Sequence, residues 1–393
     1  MNKLFGLLLL MMLCFSCKTE NKSPEAKVYQ WAAQADKVFS LDDQTAFNLI
    51  QPQVKYIDGT LLYMFRNRAN NQFYIYEYAS GELKKNIQIY KEGPNQVQAN
   101  LFPYYIHTLD SIYINPYGNI KYLINSQGEV IQKTEMESES DKVFENEKLV
   151  FDGATTVEEG KLLTGRRVEL PKRGVSNPLR GTFDFTKGVF ENLYLEEEVV
   201  IENYDDYVDR LTRSASPFGI ITMKKFAVGN DDQLFASTQI NDSIYEFKKG
   251  QFVQAYYAGD PATNTINFQG YLDKTNVETT ANSISIMSKA EQPPFYTAMF
   301  MDTEKEWVYR VLIHGAKDSK GNDDFRDSEL IGASLIAFNV KDKSSTVFSI
   351  PIDQVDINTF GGGAYFATAE GVHFPAKDQE VESEKRYKVF KIE

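Results

Sequence analysis

Apolar and polar residues alternate along much of the chain in short runs, and successive runs are joined by turns that contain glycine. The first clear pair is Asn71–Tyr78 and Glu82–Ile89, joined by Ala79-Ser80-Gly81. Alternation with a period of two is typical of a strand that buries one face, and glycine suits the tight turn of a β-hairpin. Each such pair therefore predicts a hairpin.

The same order of strand, turn and strand recurs along the chain. Full copies lie at 119–133, 242–257 and 334–350, a degenerate copy lies at 182–188, and a further strand lies at 386–392. Residues that favour strands are abundant, because 27 Phe and 23 Tyr contribute to an aromatic content of 13%. The sequence therefore predicts an all-β protein.

These copies amount to six units in about 350 residues, or roughly 58 residues each, whereas propeller repeats have about 40–50 residues before insertions. Four-stranded blades around a channel fit this repetition, and a pair of β-sandwich domains is the alternative. After Lys37 the sequence has no linker rich in Pro, Gly and Ser, which favours one closed ring. We predict a single β-propeller, with six blades favoured over seven.

The two ends of the chain predict how the ring closes. Arg386–Ile392 has apolar residues on both faces, and an unpaired edge there would expose free N–H and C=O groups. A spare strand, Lys37–Leu41, stands before the first full hairpin. We therefore predict that residues 37–41 join residues 386–392 in one sheet and complete the last blade. A helical pattern is confined to Ala26–Lys37.

The first residues have the order of a secretory signal peptide. Lys3 supplies a positive charge, and the 12 residues Leu4–Phe15 form an apolar run interrupted by Gly6. A membrane-spanning helix needs about 20 residues, so the run predicts a cleaved signal. We expect a signal peptide over 1–16, a lipidated cysteine and polar tether over 17–36, and the propeller domain over 37–393.

The sequence at the predicted cleavage point, Cys14-Phe15-Ser16-Cys17, resembles the lipobox of bacterial lipoproteins. Ser16 fits the small residue that precedes the lipidated cysteine, whereas Leu13 stands one place earlier than the pattern has it. The resemblance implies that Cys17 carries acyl chains such as palmitate, which would anchor the protein to a membrane. An ordinary signal peptide that happens to contain cysteine is the alternative.

Composition removes several functional classes. Cys14 and Cys17 are the only cysteines, so the mature domain is expected to have no disulfide, no cysteine-based metal site and no cysteine nucleophile. The formal net charge is −13 at pH 7, and an acidic surface repels polyanions. Nucleic acid is therefore not an expected partner.

Three features together resemble a known family. They are the start at Cys17, the hairpin Ile75–Leu83, and the turn Lys91-Glu92-Gly93-Pro94-Asn95 between strands. They are similar to features of the uncharacterised six-bladed β-propeller lipoproteins of Bacteroidota, over most of Leu41–Glu393. The resemblance implies an outer-membrane lipoprotein of the cell envelope, on the periplasmic or the surface side, and brings no catalytic residues with it.

The histidines do not form a recognisable catalytic or metal motif. His107, His314 and His373 are far apart in sequence, so a zinc site would need ligands from distant blades. We expect strand histidines that bond to backbone partners. Gly332–Ile336 lacks the second glycine of a serine-hydrolase elbow and is predicted to be a strand, and Gly361–Gly363 is predicted to bend into an inner strand at 364–366.

The most charged loop, Lys317–Glu329, has the spacing of a calcium loop between Asp318 and Glu329. It has Lys320 at the third position, where a ligand is needed, and Asp323 at the sixth, where glycine is needed. A solvated insertion is therefore the favoured interpretation, and we expect no tightly bound metal or cofactor.

Two functions remain open from the sequence. The first is a non-enzymatic binding or scaffold module for an envelope protein or a glycan, displayed on propeller loops. The second is a metal-dependent hydrolase or lyase whose Asp, Glu, Asn or His ligands converge from inner strands in the central channel. Without a catalytic motif, the sequence favours the first.

Overall fold

The computed structural model describes residues 29–45, 50–98, 103–116, 119–136, 148–150, 155–167, 180–193, 225–230, 232–238, 241–263, 294–317, 329–357, 365–377 and 382–393. Every regular element within these ranges is a β-strand. In chain order the strands are β1 (Trp31–Ala33), β2 (Lys37–Ser40), β3 (Ile50–Ile57), β4 (Thr60–Asn67), β5 (Gln72–Glu77), β6 (Leu83–Gln88), β7 (Tyr104–Thr108), β8 (Ser111–Ile114), β9 (Ile120–Ile124), β10 (Val130–Glu135), β11 (Lys148–Val150), β12 (Thr156–Glu158), β13 (Lys161–Arg167), β14 (Arg180–Asp184), β15 (Val189–Leu193), β16 (Lys225–Val228), β17 (Gln233–Ser237), β18 (Ser243–Lys248), β19 (Gln251–Tyr257), β20 (Phe295–Met301), β21 (Trp307–Ile313), β22 (Ala316–Lys317), β23 (Glu329–Leu330), β24 (Ala333–Asn339), β25 (Ser345–Ser349), β26 (Phe366–Thr368), β27 (Gly371–Pro375) and β28 (Glu384–Ile392).

Six antiparallel sheets form the blades of a β-propeller, which confirms the predicted fold class and blade count. Blade 1 is β3–β6, blade 2 is β7–β10, blade 3 is β11–β15, blade 4 is β16–β19, blade 5 is β20, β21, β24 and β25, and blade 6 is β26–β28 with β1 and β2. The short pair β22–β23 forms a separate sheet between two strands of blade 5. Each hairpin predicted from the sequence is the third and fourth strand of a blade.

The ring closes through strands from both ends of the chain, as predicted. Lys37 pairs with Tyr387 and Ser40 pairs with Glu384, so β2 is the outer strand of blade 6. The helical interpretation of the preceding segment is wrong at Trp31–Ala33, because these residues form β1 and pair with β28. The folded blade therefore begins before residue 37, where the sequence placed the start of the propeller.

Glycine in the predicted turns serves both the turn and the packing of neighbouring blades. Gly81 and Gly128 have φ of +72° and +78°, which side chains disfavour. A Cβ on Gly81 would also clash with the carbonyl oxygen of Val38, and one on Gly128 with that of Gln88. Both carbonyls belong to the outer strand of the preceding blade, so a side chain in either turn would separate two blades.

The core lies between blades, because each blade is covered on both faces by its neighbours. Residues 62–65 of β4 are consecutive, yet none is more than 1% exposed. Phe39 of blade 6 stacks on Tyr63 of blade 1 with ring centroids 3.9 Å apart. The first strands of adjacent blades touch one another and surround the centre of the ring, as β20 does with β16 and β26.

The two faces of the ring differ in their connections. Adjacent strands alternate in direction, so the turns between strands one and two and between strands three and four share one face, the hairpin face. The other links leave the opposite face, the connection face. Strands β13, β15, β19 and β21 end at the connection face, and the chain has more residues between each of them and the next strand of a blade than in the described turns of the hairpin face.

Candidate functional site on the connection face

Three polar residues from blades 4 and 5 meet on the connection face. Asp260 follows the last strand of blade 4, His314 follows β21, and Ser334 is the second residue of β24. Strands two and four end at this face and strand three begins there. The topology therefore brings Ser334 next to Asp260 and His314, which are 74 and 20 positions away from it in sequence.

The three side chains form a short hydrogen-bonded chain. Nε2 of His314 lies 2.7 Å from Oγ of Ser334, which donates to Oδ2 of Asp260 at 2.8 Å. The backbone N–H of Ala262 donates to Oδ1 of Asp260 at 2.9 Å. Burial acts to raise the pKa of Asp260, but the hydrogen bonds from Ser334 and Ala262 outweigh it, and the pKa is lowered. Asp260 is therefore an ionised acceptor at neutral pH.

This geometry fixes where the protons lie. An ionised carboxylate only accepts hydrogen bonds, so the single hydroxyl proton of Ser334 goes to Asp260. When the imidazole of His314 is neutral, it must then donate its Nε2–H to the Ser334 oxygen. Its Nδ1 consequently carries a lone pair, which can accept a hydrogen bond from a ligand or bind a cation.

Gly332 lies against this edge of the imidazole. A Cβ at position 332 would lie 3.0 Å from Nδ1 of His314, so a side chain there would crowd the ring nitrogen. The backbone of Gly332 does not have the left-handed conformation that favours glycine. What glycine contributes at this position is therefore the space beside the ring nitrogen. The side chain of His314 is 30% exposed, which allows a ligand to reach it.

The cluster does not have the order of a catalytic triad. In a triad the histidine accepts the serine proton and donates to the carboxylate, whereas here Ser334 donates directly to Asp260. Ser334 is also 3% exposed and lies in a strand, as expected for the segment Gly332–Ile336. The arrangement orients the imidazole of His314 and does not activate a nucleophile.

His373 behaves as expected for a strand histidine. It lies in β27, with Nδ1 3.0 Å from the carbonyl oxygen of Gly371 and Nε2 2.7 Å from Oη of Tyr78 in blade 1. Burial lowers the pKa of His373 to about 3, so the imidazole is neutral. It joins the last blade to the first and lies apart from the connection-face cluster.

His107 lies on an inner strand near the hairpin-face end of the channel, beside two lysines. Lys55 of blade 1 donates to the carbonyl oxygen of His107 at 3.1 Å, and Lys305 of blade 5 donates to that of Val228 at 2.8 Å. Burial, followed by repulsion from Lys305, lowers the pKa of Lys55 to about 8. Burial and then the charge of Lys55 also lower the pKa of His107.

Other candidates from the sequence fall outside the described residues, namely Cys17, the calcium-type loop from 318 to 328, and Gly361–Gly363. Within the ranges given above, no three His, Cys, Asp or Glu side chains are grouped so that they could hold a metal ion. The same ranges contain no helix long and apolar enough to cross a membrane. The inner strand that the sequence predicts from Ala364 is observed at Phe366–Thr368.

Comparison with known proteins identifies the fold. The family model of DUF4221, a domain of unknown function, matches residues 32–339. A crystal structure of a DUF4221 member from Bacteroides vulgatus is 16% identical with a TM-score of 0.67, and covers 93% of this chain and 98% of that chain. A protein from Bacteroides fragilis named as exported is 12% identical with a TM-score of 0.51, with coverages of 93% and 96%. No curated protein matches the sequence.

Proposed function

Because the chain belongs to the DUF4221 family, whose function is unknown, we propose a function from its own geometry. The protein is a lipid-anchored module of the bacterial outer membrane that binds an envelope protein or a glycan and catalyses no reaction. The acyl chains on Cys17 hold it to the membrane. The partner binds at the connection face.

The observation that carries this proposal is that the chain enters the ring beside the hairpin face. Tyr29 packs edge-on against Trp307 with ring centroids 5.0 Å apart, and its Oη donates to Oδ2 of Asp342 at 3.0 Å. Trp307 begins β21 and Asp342 lies in the turn between β24 and β25, so both belong to the hairpin face. The tether therefore leaves from the side opposite the long connections.

This exit favours one orientation on a membrane. The 12 residues from Cys17 to Tyr29 span at most about 40 Å when fully extended. A tether of that reach keeps the hairpin face nearer the bilayer and turns the connection face away from it. The connection face, with the partly exposed side chain of His314, is then available to a partner.

A catalytic role is the second candidate, and His314 is the observation in its favour. Its side chain is 30% exposed, and an imidazole nitrogen that carries a lone pair can act as a general base. The hairpin-face end of the channel is poorly suited to a metal-dependent reaction. Lys55 and Lys305 bring two positive charges there, and these repel a divalent cation.

The anchor is tested by growing cells with a clickable fatty acid and comparing the wild-type protein with Cys17→Ser. We expect label and membrane association only when Cys17 is present. A Ser16→Ala variant, which keeps a small residue before the cysteine, is the matched control and should still be labelled. Equal labelling of Cys17→Ser would contradict the anchor.

Binding at the connection face is tested by placing a photo-crosslinking residue at Lys91 or at Asp58 in intact cells. Both side chains are exposed. Lys91 follows the outer strand β6 and lies beside the turn after β4, whereas Asp58 lies in the turn between β3 and β4, on the hairpin face. We expect discrete crosslinked products from position 91 and none from position 58. Products of equal yield from both positions, or from position 58 alone, would contradict the proposed face.

A further inference from the structure

The turn between β20 and β21, residues 302–306 of blade 5, contacts two blades that lie opposite each other in the ring. Oη of Tyr56, near the hairpin-face end of β3 in blade 1, donates to Oε1 of Glu304 at 3.4 Å. Nζ of Lys305 donates to the carbonyl oxygen of Val228, the last residue of β16 in blade 4, at 2.8 Å. From these contacts we infer that the turn is a plug that closes the hairpin-face mouth of the channel.

The order of the blades explains why the turn must cross the mouth. Six blades follow one another around the ring, so blades 1 and 4 face each other across its centre. Tyr56 and Val228 lie on the innermost strands of these blades, which surround the channel. Glu304 and Lys305 are consecutive, and consecutive Cα atoms are about 3.8 Å apart. Two such residues reach both strands when the backbone between them lies over the channel.

The base of the turn is fixed, so its side chains start from a held backbone. Oδ1 of Asp302 accepts hydrogen bonds from N–H of Glu306 at 2.8 Å and from N–H of Trp307 at 3.1 Å. Asp302 is 5% exposed and forms a parallel β-bridge with Ala367 on the inner strand of blade 6. The plug is therefore connected to blades 1, 4 and 6.

Lys305 faces inward, although a lysine in a turn can extend into water. Its side chain is partly exposed, and burial lowers its pKa against the attraction of Asp302. After burial, the charge of Lys305 is the next cause of the lowered pKa of Lys55 on β3. Exposed charges are screened over about 8–10 Å, so the effect of a blade 5 lysine on blade 1 agrees with a position over the channel.

The plug closes a particular end of the channel. In the orientation proposed above, the hairpin face is nearer the membrane, so the closed mouth is the one that faces the bilayer. Small molecules between the protein and the membrane are then excluded from the channel. The closure depends on contacts within the chain, so it stands whether or not the partner proposed for the connection face exists.

Photo-crosslinking within the purified mature chain with Cys17→Ser tests the position of the turn. A benzophenone amino acid is placed at position 56, or at position 84 as the matched control, because Lys84 is exposed on the outer strand of the same blade. Mass spectrometry then maps the crosslinked peptides. We expect position 56 to crosslink within its own chain to residues 302–306 and position 84 to give no such product. Absence of that product from position 56, or equal yields from both positions, would overturn the inference.

Acetylation of Lys55 by sulfosuccinimidyl acetate tests whether the turn closes the mouth, with Lys84 as an internal standard. Two double variants are compared, Glu304→Ala/Lys305→Ala and Glu304→Gln/Lys305→Gln. Both remove the same charges, which equalises the effect on the pKa of Lys55, and the glutamines keep side chains that reach across the channel.

We expect the alanine pair to acetylate Lys55 at least about threefold faster than the glutamine pair, because its shorter side chains no longer fill the mouth. Circular dichroism spectra should show that both variants remain folded. Equal rates at Lys55 in the two folded variants would overturn the inference, because the side chains of the turn would then not limit access.

Discussion

The rings of Trp31 and Phe390 lie nearly parallel, with an interplanar angle of 6° and centroids 4.9 Å apart. The opposite face of the Trp31 indole stacks on Phe348 of blade 5 at 5.0 Å. One residue of the N-terminal strand is therefore held between the third strand of blade 6 and the outer strand of blade 5. This contact joins the last two blades and extends the closure beyond the hydrogen bonds of β2.

Trp31→Ala is expected to lower the free energy of unfolding by about 2–4 kcal/mol, because it removes both stacked contacts and leaves a cavity between two blades. Urea unfolding followed by circular dichroism measures the change. Gln34→Ala, an exposed position in the same segment, should change it by less than about 0.5 kcal/mol. Equal stability of Trp31→Ala and the wild type would show that the stack contributes nothing to closure.

Deletion of residues 26–41 should destabilise the ring much more, because it removes β1 and β2 and exposes the edge of β28. Loss of Trp31 and Phe39 alone amounts to about 3–6 kcal/mol of apolar burial. A thermal melt should show a marked fall in the midpoint. Deletion of residues 18–25, which precede the strands, is the control and should leave the midpoint unchanged.

The closure and the hairpins could be predicted from the sequence because their causes are local. Alternating side chains and turn glycines are visible in short windows, and Lys37–Leu41 was the unpaired strand that the last blade needed. β1 could not be predicted in this way. Three residues are too few to show a period, and Trp31 is held by Phe348 and Phe390, more than three hundred positions away in sequence.

The connection-face cluster was missed for a similar reason. No spacing rule connects Asp260, His314 and Ser334, and in the sequence Ser334 stands out only as part of Gly332–Ile336. The topology contains the signal that could have found them. In a propeller the ends of strands two and four share a face, so polar residues directly after those strands are candidates for one site.

Arg310→Lys should destabilise the protein by about 2–4 kcal/mol. The guanidinium of Arg310 is fully buried between blades 4 and 5, donates to the carbonyl oxygens of Ala258 at 2.7 Å and Asn241 at 2.5 Å, and lies 3.4 Å from the ring centroid of Tyr296. A lysine ammonium cannot reproduce this planar fork. Guanidinium chloride unfolding measures the loss.

Arg386→Lys provides the matched comparison for that substitution. The Arg386 side chain is 43% exposed and pairs with Glu384 at 3.0 Å, so the change should cost less than about 0.5 kcal/mol. If Arg310→Lys were equally mild, the buried guanidinium would not be holding blades 4 and 5 together.

The proton placement at the connection face predicts the tautomer of His314. Long-range ¹H–¹⁵N correlation spectra at pH 8 should show Nε2 protonated and Nδ1 unprotonated. Ser334→Ala should return His314 to a mixture of tautomers. A protonated Nδ1 in the neutral wild-type ring would refute the proposed hydrogen-bond chain.

His373 predicts how acid weakens the closed ring. Burial, and to a smaller extent the charge of Lys37, lowers the pKa of His373 to about 3, whereas the unfolded chain has an ordinary value of about 6.5. At a pH between these two values, the imidazole of residue 373 is protonated in the unfolded state and neutral in the folded state. The contribution of His373 to stability is therefore complete above about pH 6.5 and is lost by about 1.4 kcal/mol for each pH unit as the pH falls toward 4.

The measurement is urea unfolding at pH 7, 6, 5 and 4 for the wild type and for His373→Gln, which keeps a donor and an acceptor beside Gly371 and Tyr78. The variant should be less stable at pH 7. Its free energy of unfolding should fall less steeply as the pH decreases, because its unfolded state does not take up the one proton that His373 binds. Carboxylates elsewhere titrate alike in both proteins, so the difference between the two curves isolates residue 373. Parallel curves would mean that the imidazole is protonated in the folded state at ordinary pH, and that its contact with Tyr78 does not exclude the charge.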